Sequence, residues 1–310
     1  MDIIAVIMAA GKTSVDVVLY TLIPIMVVML VMMKYLEVRG VLDVIVRITS
    51  PLLKPFGMTG MSIFALIQLN FVSFAAPLAS LAIMEKRGVS DRHLAATLAM
   101  VFAMGQGNVF YPLTPFGLHW GQALLISVIG GLAAAAVTWH VSGRKLSVSN
   151  LNHDDETVQD NKSRPGLIAI INGAGSDAIR LSLGSLPMLI LSLAVVGLLR
   201  EAGAIEALTR WLAPLLAGVG LSTAYILPAL TKTLAGGTAY FGVVSELMQK
   251  GVISVQQINA SAGFMIQTLD LPGLGIFLGL SPRFVRLFRY ALPGALVGIA
   301  LRTLIHTLIN

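Results

Sequence analysis

Arg47-Ile48-Thr49-Ser50-Pro51-Leu52-Leu53-Lys54-Pro55-Phe56-Gly57 returns 163 residues later as Arg210-Trp211-Leu212-Ala213-Pro214-Leu215-Leu216-Ala217-Gly218-Val219-Gly220. The Arg, the Pro-Leu-Leu and the final Gly keep their places while the residues between them change. Leucine matches carry little weight in an apolar chain. Gly, Pro and Arg punctuate the backbone and cap helix ends, so their recurrence marks a repeated unit. Working outward at the same offset, Pro24 meets Pro187, Gly40 meets Gly203, and Gly88-Val89 meets Gly251-Val252. One further residue aligns Ser90 with Ser254, and an offset of 167 aligns Thr114-Pro115 with Ser281-Pro282 and Gly131 with Gly298. A weak internal repeat in a hydrophobic membrane chain is the pattern of many secondary transporters.

Composition places the repeat in a membrane. The chain is 56% hydrophobic and 12% charged, with a mean hydropathy of +0.85; a soluble domain carries about twice that charge. Val17 to Met33, Leu181 to Leu199 and Gly251 to Leu269 hold no charged side chain, and Leu94 to Gly143 runs 50 residues without one. That last stretch suffices for two crossings of a ~30 Å hydrocarbon core. Met1-Asp2-Ile3-Ile4 lacks the basic region of a secretory signal, so no cleaved leader is expected. The absence of cysteine removes thiol catalysis, disulfides and Cys-based metal sites. The net charge of +6 belongs to membrane-orienting loops, and nucleic acid is not expected as a partner. No nucleotide-binding motif, His-Glu-x-x-His or acid–base pair points to an enzyme, and no cofactor or metal site is expected.

Each copy reads as the same succession. An apolar span comes first, followed by an amphipathic interfacial helix whose charges fall at helical spacing: Arg39, Asp43 and Arg47 in one copy, Glu206 and Arg210 in the other. Next, Gly60 to Met84 could cross once, but Lys54 precedes it and Lys86, Arg87 and Arg92 follow it. A single crossing would put positive clusters on both faces. A re-entrant helical hairpin removes that conflict, with its tip at Ser73-Phe74-Ala75-Ala76-Pro77 and its counterpart at Leu234-Ala235-Gly236-Gly237-Thr238. Interrupted spans follow, at Gly105-Gln106-Gly107-Asn108 and at Gln267 to Gly273, and a plain span closes each copy.

The expected fold is therefore an all-α polytopic membrane protein of two repeats, residues 1–141 and 166–310, joined by a polar cytoplasmic linker at 142–165. Each repeat contains three transmembrane helices, an interfacial helix and a re-entrant hairpin. Three crossings per copy is an odd number, so the copies should be inverted. With the loops at Lys34 to Lys54, Lys86 to Arg92, Arg144 to Arg180 and Arg283 to Arg289 inside, 15 of the 21 Lys and Arg lie on the cytoplasmic side. Both termini are then outside.

Polar groups in hydrocarbon are functional-site candidates. The first copy offers Gln68, Asn70, Ser73, Gln106 and Asn108; the second offers Thr231, Lys232, Thr233, Thr238, Gln267 and Thr268 as solute-binding residues. Gln68-Leu69-Asn70 aligns with Thr231-Lys232-Thr233. The hairpin tips are expected to lie within ~15 Å of each other near the midplane, about half the hydrocarbon thickness. Asp270 and Lys232 are the carboxylate and amine deep in these segments. They read as a mutually neutralising structural pair, as an ion-coupling site at Asp270 with an anion contact at Lys232, or as groups of which one simply reaches water. Amides serve as helix–helix glue as often as they contact a ligand.

The paired Arg-x3-Pro-Leu-Leu-x3-Gly segments at Arg47 and Arg210, with Gly88 and Gly251, resemble the nucleoside-recognition or Gate domain. That module is shared by concentrative nucleoside transporters, the membrane part of the ferrous iron transporter, and the spore maturation A and B proteins. The whole chain outside the linker is similar to a fusion of the two spore-maturation halves. The tip Ser73 to Pro77 has no Glu in place of the Gln-Thr-Glu-type tip of nucleoside transporters, and the iron transporter's cysteines and GTPase domain are absent. The resemblance implies a bacterial inner-membrane protein that moves a small polar solute (nucleoside, amino acid, dipeptide or carboxylate) by alternating access coupled to Na⁺ or H⁺. Its partners would be that solute, the lipid bilayer and, in a homo-oligomer, further copies of itself. The alternative it implies is a non-transporting scaffold or regulatory protein.

Overall fold

The uncharged stretches Val17 to Met33 and Leu181 to Leu199 lie in long helices, and the repeated glycines and serines stand at helix ends. The structure, a computed structural model, describes residues 3–74, 76–149, 166–218 and 222–310. The tip residue Ala75, the repeat's Gly220 and most of the linker, with His153-Asp154-Asp155-Glu156, lie outside the described residues.

The first half begins with α1 (Ile3–Val38), whose Val17–Leu22 segment is π-helical just before Pro24. Proline removes a backbone donor, and a widened turn accommodates the carbonyl left free. Next come α2 (Val41–Leu53), with Leu42 its buried residue, then α3 (Gly60–Phe71) and α4 (Pro77–Lys86). A bend of 104° separates α3 from the helix before it. α3 and α4 pack on each other as the two arms of a helical hairpin, tied by the Ser80 hydroxyl donating to Gln68 Oε1 at 2.7 Å. After it come α5 (Asp91–Ala103), α6 (Gly107–Leu113) and α7 (Trp120–Ser142).

The second half repeats this order as α8 (Leu167–Glu201), α9 (Ala204–Gly218), α10 (Ile226–Gln249), α11 (Val255–Met265), α12 (Leu271–Leu278) and α13 (Pro282–Ile309). α10 stands where the first half has its hairpin. One non-helical residue, Gly236, divides it into two arms. The matched residues have matched work. Ser90 and Ser254 are the N-caps of α5 and α11. The pairs Gly40/Gly203 and Gly88/Gly251 hold φ of 74°/72° and 70°/68°, the left-handed turn that ends a helix.

Among the described residues, α1, α7, α8 and α13 are the helices long and apolar enough to cross a membrane unbroken. The interrupted segment α5/α6 occupies the interior, whereas α11 and α12 bury one face each. Every side chain from Leu94 to Ala103 in α5 is buried, and α13 packs against α5, α7 and α11. α7 and α13 meet where a Cβ added to Gly130 or Gly298 would strike the other's backbone oxygen. Small residues at a crossing let membrane helices approach this closely.

One boundary differs from the sequence expectation. Leu167 to Arg180, counted there with the cytoplasmic loop, is helical and continuous with the following span. Ile170, Ala174 and Ala178, one helical turn apart, form a buried face. Asp177 pairs with Lys34 of α1 at 3.0 Å. A search for charge-free windows ends such a span too early, because Arg180 interrupts the window without interrupting the helix.

Candidate functional site

The two interrupted spans meet at their breaks. Gly105 and Gln267 form an antiparallel bridge. Around it the Gln106 amide donates to the Gln267 carbonyl at 3.0 Å, the Thr268 hydroxyl to the Met104 carbonyl at 3.0 Å, and the Thr268 N–H to the Phe102 carbonyl at 3.2 Å. A broken helix exposes carbonyls at its C-terminal end, and buried carbonyls need donors. Arg302 of α13, fully buried, supplies two more. It donates to the Ala103 carbonyl at the end of α5 and, at 3.5 Å, to the Ala262 carbonyl of α11. A cation is also the favourable charge at the negative ends of two helices.

The hairpin tips meet beside this crossing. Asn108 joins them: its Oδ1 accepts from the Phe74 N–H at 3.3 Å, and its amide reaches the Thr238 hydroxyl at 3.5 Å. Gly236 has φ 85° and ψ −178°, a region open essentially to glycine alone. It lies against Pro272 and Asp270.

Asp270 is the N-cap of α12, its Oδ1 accepting from the Gly273 N–H at 2.7 Å while its Oδ2 accepts from Lys232. Both partners are buried. An isolated charge could not stay ionised there, and the pair with its cap supplies the compensation.

A cavity of about 530 Å³ opens between the tips and α1 and α8. Ser73, Phe74, Gln106, Asn108, Arg180, Ser182, Thr238 and Asp270 line it, with Gly236, Gly237 and Ala239 in the wall. Leu22, Met26, Leu189, Pro272 and Ile276 supply apolar surface. The Ser73 hydroxyl and Gln106 Oε1 are buried without a hydrogen-bond partner among the described residues. A second cavity, about 460 Å³, lies at Asp91, Ser147, Ser149, Pro282, Arg283 and Arg286. Its two arginines are both engaged by Asp91, and no hairpin residue reaches it.

Of the residues singled out in the sequence, the structure brings Ser73, Gln106, Asn108, Thr238 and Asp270 to the cavity, with Lys232 directly behind Asp270. Gln267 and Thr268 form the crossing beneath. Gln68 ties the hairpin arms. Asn70 bonds to the Leu66 carbonyl and, through Ser127, to the Gly105 N–H. Thr231 is buried with its hydroxyl on the Leu227 carbonyl. Thr233 is exposed, its hydroxyl on the Ala229 carbonyl, which puts it on the far side of α10 from the cavity. Arg180 and Ser182, unanticipated from the sequence, stand in the wall. Their signal was a pair of polar residues, Arg180 and Ser182, flanking Leu181 at the edge of an apolar run.

Residues 19–137 match the Gate family, described as nucleoside recognition. The matched segment runs from within α1 into α7. The fold of the whole chain is that of concentrative nucleoside transporters. It is similar to CNTnw in an outward-facing state, with TM-score 0.68 and 15% identity over 94% of this chain and 76% of that one. It is similar also to CNTnw in an inward-facing substrate-bound state, with TM-score 0.67 and 15% identity over 94% and 75%. No curated protein matches the sequence.

Proposed function

We propose that this chain is a secondary transporter of a small polar solute, working by alternating access with the cavity between the two tips as its binding site. The single observation that carries the reading is the convergence of both tips on Asn108, beside a cavity lined by Ser73 and Gln106, whose buried hydroxyl and Oε1 have no hydrogen-bond partner among the described residues. A scaffold needs no such groups in hydrocarbon, where each costs free energy. The Gate match and the likeness to a transporter captured in several states support the same reading.

In this proposal the two copies are inverted about an axis in the membrane plane, with both termini outside a bacterial inner membrane. The antiparallel bridge between equivalent breaks supports that relation. Asp270 is the coupling carboxylate for Na⁺ or H⁺, and Lys232 is its counter-ion when the coupling site is empty. Nucleosides, amino acids, dipeptides and carboxylates are the solute classes to screen.

The test is uptake into proteoliposomes of the purified protein, with imposed Na⁺ or H⁺ gradients and a panel from those four classes. The expected result is gradient-driven accumulation of one class. No uptake of any class, with folded protein and no thermal stabilisation by any solute, overturns the transporter reading in favour of a scaffold.

A further inference from the structure

The charged side chains in the cavity wall are Arg180 and Asp270, and they are not in the same condition. Both Asp270 oxygens are taken, one by Lys232 and one by the Gly273 N–H. Its charge is thereby compensated within the protein. Arg180 has no acidic partner among the described residues. The carboxylate one turn before it, Asp177, is engaged by Lys34. The wall therefore presents one uncompensated positive charge.

A second feature has the same sign. The first N–H groups of a helix lack intrahelical partners and carry partial positive charge. The arm of α10 that begins after Gly236 opens with Gly237, Thr238 and Ala239, all of which line the cavity. The buried Ser73 hydroxyl, unpartnered among the described residues, adds another donor. Against these stands an unpartnered acceptor, Gln106 Oε1, whose orientation follows from its amide nitrogen being committed to the Gln267 carbonyl. Leu22, Met26, Leu189, Pro272 and Ile276 hold the local dielectric below that of water and strengthen every charge interaction inside.

We infer that the cavity selects an anionic solute: a carboxylate or phosphate group between Arg180 and the first turn of the distal α10 arm, with a donor on the same solute reaching Gln106 Oε1. This rests on the transporter reading of the cavity and narrows its substrate class. A neutral solute would forgo a charge-assisted bond to the exposed guanidinium. An anion satisfies it, along with the helix terminus and the Ser73 hydroxyl.

The experiment measures uptake of uridine, L-alanine, succinate and inorganic phosphate into proteoliposomes at fixed ionic strength. The wild-type chain is compared with Arg180→Gln and Arg180→Lys. The expected result is uptake of succinate or phosphate but not of uridine or alanine, the active anion telling carboxylate from phosphate. Arg180→Gln should weaken it by about tenfold or more, the weight of a charge-assisted hydrogen bond, and Arg180→Lys should retain most of it. Thermal melts of both variants, at an exposed position, control for folding. Uptake of uridine or alanine that is indifferent to Arg180→Gln overturns the anion inference and leaves the transporter reading standing. Equal loss in Arg180→Lys and Arg180→Gln, both folded, overturns the role of the charge. No uptake of any probe by folded protein overturns the transporter reading and the inference together.

Discussion

The buried pair Lys232–Asp270 stakes the most on two residues. Removing one partner leaves an uncompensated charge, which typically costs about 3–5 kcal/mol, whereas replacing both by neutral groups is often close to neutral. Asp270→Asn and Lys232→Met should each lower the melting temperature of detergent-solubilised protein, and the double variant should recover most of the loss. The coupling proposal separates from this. If Asp270 is the coupling carboxylate, the double variant binds or exchanges solute but no longer accumulates it against a gradient. Normal concentrative uptake by Asp270→Asn would sink that role. The pair was legible in the sequence because deep charges are rare. Thr233 misled for a geometric reason: successive helical residues turn by about 100°, so Thr231, Lys232 and Thr233 cannot share a face. Arg180 was lost because it stands at the border of a charge-free window.

At the scale of elements, two backbone positions decide whether the parts fit. Gly236 holds a conformation that costs an L-residue on the order of 1–3 kcal/mol. Its added Cβ would also crowd Pro272. Gly236→Ala should lower thermal stability by that amount and weaken solute binding, since the residues after it line the cavity. Unchanged binding would remove the Gly236 turn from the site. Gly298→Val would drive a side chain into the Gly130 carbonyl and the side chains of Ala103 and Ala134. Loss of monodisperse protein in size-exclusion chromatography is expected, and a well-behaved variant would mean the crossing of α7 and α13 yields easily. The repeated Gly and Ser residues were readable because helix ends demand particular residue types at particular places. The partner of each helix was not readable, since packing in an apolar chain depends on shapes that many sequences share. Arg302 is the plainest case: its place in the closing apolar stretch says nothing of the two helix ends it reaches.

For the whole molecule, the proposed orientation can be read directly, because the chain has no native cysteine to confuse labelling. Cysteines at Arg39, Lys86 and Arg286 should react with an impermeant reagent only from the cytoplasm, and those at Glu201 and Gln249 only from outside. Opposite-side labelling at Lys54 and Lys86 would turn the first hairpin into an ordinary span. The junction of the two interrupted spans carries a further consequence. It is held by a backbone bridge, three hydrogen bonds and a buried guanidinium, whereas the tips beside it are joined through one amide at 3.3 and 3.5 Å. Such a molecule has its axle at the centre and its latch at the side. During turnover, spin labels at Phe74 and Thr238 should separate while labels flanking Met104 and Gln267 keep their distance. Asn108→Ala, with the latch gone and the axle intact, should let solute run down its own gradient without any driving ion.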